Sequence, residues 1–194
     1  MNYSPKVLQD QFLQANKSEL SNLKSELESI FEKYTENQKK WKPSSKEWSI
    51  IEVTAHMAQT LRMYLDKMEP VKVKTKDRGL VQVTAFSPTW FGRLFVKFIS
   101  PESSFKLKTF KIFKPEKMNV SGSPETLLFD YISRLINFIN DIDGYDIKKL
   151  RFSSPASSFV RFTLGEAIEI NVVHIQRHIA QIKRLTQSEN FPGH

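Results

Sequence analysis

Thr163-Leu164-Gly165-Glu166-Ala167-Ile168-Glu169-Ile170-Asn171-Val172-Val173-His174-Ile175-Gln176-Arg177-His178-Ile179-Ala180-Gln181-Ile182 carries its own helix start signal. Threonine followed three positions later by glutamate is a capping box, in which each side chain satisfies the other residue's orphan backbone amide. The apolar spacing behind it predicts a helix continuing to about Leu185. Within that helix His174 and His178 are four residues apart, so their imidazoles leave the same face about one turn apart. Helices use this spacing to offer two nitrogens to one metal ion.

Working outward, the same signal recurs at Ser49-Ile50-Ile51-Glu52, which opens a helix predicted to end near Met68, before Pro70. His56 lies on it, in the row Ile51, His56, Gln59, Met63 that should face the core. Alone, His56 reads as a buried, hydrogen-bonded core histidine. Together with the pair it reads as the third member of a ligand set, each ring binding through one nitrogen while the other donates to a supporting group.

Two more long helices complete the pattern. Ser4-Pro5 reads as a helix start, and Leu20, Leu23, Leu27, Ile30 and Tyr34 form one stripe on a first helix, with an interruption expected near Asn16. Ser123-Pro124 caps a helix to about Ile142, with Leu127, Leu128, Tyr131, Leu135, Phe138 and Ile139 inward, and Asp143-Gly144 stops it. Lys39 to Lys46 reads as a loop. Between the second and third long helices, residues 71–85 alternate in a strand-like way and Phe105 to Phe113 also reads as extended. Ser87-Pro88 opens a short helix there, which Ser100-Pro101 ends. Trp90, Phe91, Leu94, Phe95, Phe98 and Ile99 form its apolar face, for which packing on the same domain ranks first, a homodimer second and membrane contact third. The fold class is therefore all-α: one domain over 1–194, a four-helix bundle with a long crossover at 71–122 that contains a short amphipathic helix and extended segments.

Composition narrows the chemistry. The 194 residues carry a net charge of +8 and no cysteine, which removes disulfide scaffolds, thiolate zinc sites, iron–sulfur clusters and thiol nucleophiles. No run of 18 uncharged apolar residues exists, and Met1 to Lys6 lacks the pattern of a secretory signal, so a cytoplasmic protein is expected. The charge excess is local: Lys72 to Gly122 holds eleven Lys or Arg against three Asp or Glu, leaving eighteen of each sign elsewhere. A basic stripe interleaved with Phe105, Phe110 and Phe113 suits a nucleic-acid or anionic membrane surface, but the preferred reading is a strand with a lysine solvent face. No nucleic-acid motif accompanies it, so no specific nucleic-acid partner is expected.

Trp41-Lys42-Pro43, Glu47-Trp48-Ser49-Ile50-Ile51-Glu52-Val53-Thr54-Ala55-His56-Met57 and His174-Ile175-Gln176-Arg177-His178-Ile179-Ala180-Gln181-Ile182 together resemble the DinB-like superfamily. These are four-helix bundles that include YfiT-type metal-dependent hydrolases. Leu107 to Pro115 resembles the family's crossover. The resemblance implies that His56, His174 and His178 bind a divalent metal, nickel or zinc. It also implies activities such as bacillithiol transfer and mycothiol-dependent isomerisation, hence a small-molecule substrate that includes a low-molecular-weight thiol.

Three neutral imidazoles leave coordination positions open, the arrangement of a catalytic site. The leading expectation is transfer of a small thiol to an electrophile. A metal-dependent hydrolase and a non-catalytic metal-binding or interaction module remain as alternatives. Glu52 is explained by its cap without catalysis. Gln181 reads either as orienting a ligand or as facing solvent. Trp41 and Trp48 read as packing at the mouth of the second helix, and His194 lies in a terminal Phe-Pro-Gly-His segment set aside as irrelevant.

Overall fold

The computed structural model describes residues 7–75, 85–104, 109–117 and 121–193. Four long helices form the bundle: α1 (Gln9–Lys33), α3 (Ile50–Thr75), α5 (Pro124–Asp141) and α6 (Leu164–Thr186), with the short α2 (Glu36–Lys40) after α1 and α4 (Trp90–Ile99) in the crossover. α1 and α3 each pack against both α5 and α6, so the cyclic order is α1, α5, α3, α6. Leu20, Leu27, Met57, Leu61, Leu65, Leu128, Ile132 and Ile168 are fully enclosed at the centre. No helix among the described residues is long and apolar enough to cross a membrane.

Three of the predicted helix starts form as read, whereas the short crossover helix begins at Trp90 behind Thr89, whose side chain accepts from the Gly92 amide, rather than at Ser87-Pro88. Thr163 Oγ1 accepts from the Glu166 amide at 3.1 Å while the Glu166 carboxylate accepts from the Thr163 amide at 2.9 Å. Ser49 and Glu52 make the same reciprocal pair at 3.2 and 2.9 Å, and Ser123 Oγ accepts from the Thr126 amide. Gly144 ends the segment after α5 with φ at 81°, a conformation that suits glycine.

Several boundaries differ from the sequence reading. The Ser4-Pro5 start lies outside the described residues. α1 begins at Gln9 after β1 (Val7–Leu8), and it passes Asn16 unbroken because the buried Asn16 amide donates back to the Phe12 carbonyl at 2.8 Å. Lys39 and Lys40 belong to α2, which Thr35 and Gln38 cap, so the loop starts at Trp41. α3 runs through Pro70 to Thr75 and makes 71–75 helical. Pro70 and Asp66 are both exposed, so water can serve the carbonyl that loses its helical donor. Residues 76–84 lie outside the described residues, as do 105–108. Ala85–Phe86 forms β2, paired antiparallel with β1. Lys111–Phe113 is a 3-10 turn rather than a lysine-faced strand.

The hairpin β3 (Arg151–Ser154) and β4 (Ser157–Thr163) has no counterpart in the sequence reading. It pairs Phe152 with Phe162, both buried, and delivers the chain straight into the α6 cap. Gly165 in the first turn of α6 lies so close to the enclosed Phe86 ring that a Cβ there would collide with it.

α4 buries less than its composition suggests. Its docked stripe is Gly92, Phe95, Val96 and Ile99, at helical spacing against α6, while Trp90, Phe91 and Phe98 remain 71%, 43% and 40% exposed. A helix laid on a surface can bury only one stripe, and the six-residue apolar arc is wider than that. Glu166 fixes the docking: its second carboxylate oxygen accepts from the Thr89 amide at 2.6 Å, under Gly92, whose missing side chain leaves room for it.

Candidate metal centre

α3 and α6 pack face to face, and this contact brings His56 beside the HxxxH pair. His56 Nε2 is 3.2 Å from His174 Nε2, which is 3.1 Å from His178 Nε2. One nitrogen from each ring lies within 4.8 Å of the others, so the three residues form a group that could hold a metal ion. His56 and His178 are buried and His174 is half-buried.

The outer nitrogens explain why the inner ones converge. His56 Nδ1 donates to the Phe113 carbonyl at 2.6 Å, and His178 Nδ1 donates to Gln181 Oε1 at 2.8 Å. A neutral ring that donates through Nδ1 presents a bare lone pair at Nε2. Two such lone pairs face His174 Nε2, which can donate to one of them and not both. A cation among them satisfies all three. Three imidazoles bound at about 2.1 Å sit about 3.0 Å apart on an octahedral face and about 3.4 Å apart on a tetrahedral edge. Two of the three spacings, 3.1 and 3.2 Å, fall between these values, and all three nitrogens lie within 4.8 Å of one another, so the residues could hold a divalent ion.

Electrostatics hold the rings in the binding form. Burial pushes His178 down to about 3, helped by neighbouring His56 and opposed by the Gln181 bond. Burial also lowers His174 well below the usual histidine range, reinforced by His178 and His56, and lowers His56 against the pull of the Phe113 carbonyl. All three are therefore neutral at pH 7, the state a metal requires.

The remaining residues singled out in the sequence separate cleanly. Glu52 completes the Ser49 cap and takes Lys42 Nζ at 2.9 Å. Partial burial raises its pKa, but the Lys42 and Ser49 bonds outweigh that and leave it below the usual carboxylate range. Trp41 packs edge-on against Phe191, away from the histidines. Trp48 lies 5.0 Å from the His56 ring and also lines the open cavity beside His178. Gln181 orients a histidine. The Phe113 carbonyl was not predictable, since any residue type offers one. The crossover turn is tied to α3 twice, because Gln59 Nε2 also donates to the Ile112 carbonyl at 3.3 Å. The basic segment thus contributes a backbone acceptor to the site.

Removing the Gln181 acceptor frees the His178 ring to rotate and change tautomer. Gln181→Leu should weaken zinc binding about 10- to 100-fold, read by calorimetry on the metal-free protein, the range expected for a partner supporting a ligand. Unchanged affinity would mean that packing alone orients His178.

No curated protein and no solved structure matches the chain. The model of the DinB superfamily matches residues 19–182, a span that begins in α1 and includes all three histidines and Gln181. With this much of the chain matched, and the three imidazoles gathered between α3 and α6, the protein belongs to the DinB superfamily.

Proposed function

We propose that the protein is a divalent-metal-dependent enzyme that transfers a small thiol to an electrophilic substrate. The observation that carries this reading is the convergence of three neutral imidazoles beside a cavity of about 680 Å³ that His178 and Gln181 help to line. A divalent ion held by His56, His174 and His178 would supply a Lewis acid there, lowering the pKa of a thiol. The sulfur then forms its bond to the electrophilic carbon, and the leaving group departs with the pair of electrons of the bond that breaks. The thiol proton passes to solvent through the open cavity.

The chain's own residues favour sulfur over water as the nucleophile. A hydrolase gains from a carboxylate base placed near the attacking water. Glu52 is committed to its cap and to Lys42. Among the described residues the one carboxylate lining the cavity, Glu47, accepts from Ser44 Oγ at 3.0 Å. A thiol is acidic enough to need no such base once a cation is beside it. Trp48 offers an aromatic wall against which an apolar electrophile can lie.

The test is turnover of a chloroaromatic electrophile by zinc- or nickel-loaded protein. The expected result is turnover that depends on an added small thiol and rises with pH until the thiol is ionised. Ester or amide hydrolysis without thiol would favour the hydrolase, and inactivity of the loaded protein across several thiols and electrophiles would favour a metal-binding module.

A further inference from the structure

The cavity beside His178 has a charge pattern that the three histidines do not explain. Arg177, Gln181 and Arg184 stand at i, i+4 and i+7 on α6, one column over from the ligand pair, and all three line it. Lys46, from the loop before α3, adds a third cation. Among the described residues of the lining, Glu47 is the one opposing charge. Arg177 is anchored, donating to the Ser100 carbonyl at the end of α4 at 2.8 Å. Among the described residues Arg184 and Lys46 make no ion pair, whereas their neighbours do: Lys42 pairs with Glu52, and Lys183 with Glu26. Arg177 and Arg184 carry like charge two turns apart on the same wall. Holding like charges around a concave wall costs stability, and an anionic ligand relieves that cost.

We propose that Arg184 and Lys46 select a thiol that carries a carboxylate, holding the anion at the cavity mouth while the sulfur reaches the three histidines. This rests on the thiol-transfer reading above and adds the charge of the substrate. Arg184 lies six residues beyond His178, about 9 Å along the helix, so the carboxylate and sulfur must be separated by several bonds. An arginine fork and a flexible lysine suit this task, the first giving bidentate geometry and the second an adjustable point charge. The volume is of the size that encloses a small ligand.

The experiment measures binding to the zinc-loaded protein by calorimetry at low salt, using glutathione, its dimethyl ester and S-methylglutathione. The ester keeps the skeleton and thiol but removes the negative charges, and the S-methyl compound keeps the charges but blocks the thiol. Glutathione should bind at least tenfold more tightly than the ester, and the preference should shrink with added salt. Arg184→Ala and Lys46→Ala should each reduce the preference, and Arg184→Glu should abolish it, with zinc affinity unchanged in all three. Both side chains are exposed, so these variants should fold. Equal affinity for acid and ester, or a preference that survives Arg184→Glu, would overturn the proposal. If S-methylglutathione binds as tightly as glutathione and depends on Arg184, the anion site stands and the thiol reading fails. If no compound binds, the anion site itself is wrong.

Discussion

Replacing His56, His174 or His178 by alanine should weaken zinc or nickel binding by more than 100-fold while leaving the helical fold in place. Loss of a supporting partner alone costs about 10- to 100-fold, and loss of a ligand removes a coordinate bond as well. The fold should survive because the enclosed side chains, from Leu20 and Leu27 on α1 to Ile168 and Ile182 on α6, pack without the imidazoles. Circular dichroism of chelated wild type should therefore keep its helical signal. Adding metal at about 1,000 times its Kd should stabilise the wild type by about 4 kcal/mol. For a domain of this size that is a rise in melting temperature of roughly 8 to 16 °C. The three variants should show little of this rise. Equal titrations for wild type and His174→Ala would remove the site, and unfolding on chelation would make the ion structural.

Glu169→Gln should stabilise the protein at pH 8 and leave it unchanged at pH 4. Glu169 is 6% exposed on α6 and has no hydrogen-bond or ion-pair partner among the described residues. It lines a second cavity, of about 300 Å³, together with Glu19 and Glu102. Burial, reinforced by the nearby Glu166 charge, pushes it up to about 7 from an ordinary 4.5. Below pH 4.5 the carboxyl is protonated in both folded and unfolded chains and costs nothing. Between pH 4.5 and 7 the unfolded chain releases the proton while the fold retains it, so stability falls as pH rises through that window. Above pH 7 the full cost is present, up to about 3 kcal/mol, and the amide avoids it. Urea denaturation at the two pH values measures the difference. A gain of equal size at both would show that Glu169 titrates alike in the folded and unfolded chains.

The sequence reading and the structure agree where information is local. A capping box joins residues three apart, so Ser49 with Glu52 and Thr163 with Glu166 were legible as helix starts. The HxxxH face follows from helical geometry once the helix is known. The reading failed where a local signal met a tertiary circumstance. Pro70 reads as a helix end, yet it lies on an exposed face where water can take the orphan carbonyl. Arg151 to Thr163 is short, with serines and a proline in the middle, and becomes a hairpin because Phe152 and Phe162 find the bundle core. The apolar residues of α4 do not say which stripe will dock. The surface of α6 and the Glu166 bond to Thr89 choose Gly92, Phe95, Val96 and Ile99.

Hydrogen bonds spanning three or four residues encode the four long helices, the capped starts of α3, α5 and α6, and the shared face of His174 and His178, so all of these are legible in the local sequence. Helix packing alone brings His56, 118 residues before His174, to 3.2 Å from that ring's Nε2. The same packing sets the Phe113 carbonyl of the basic crossover against His56 Nδ1, which holds the ring in the tautomer a metal needs. A distance between residues far apart in the chain depends on how every intervening element packs, and a backbone carbonyl has no residue type to announce it.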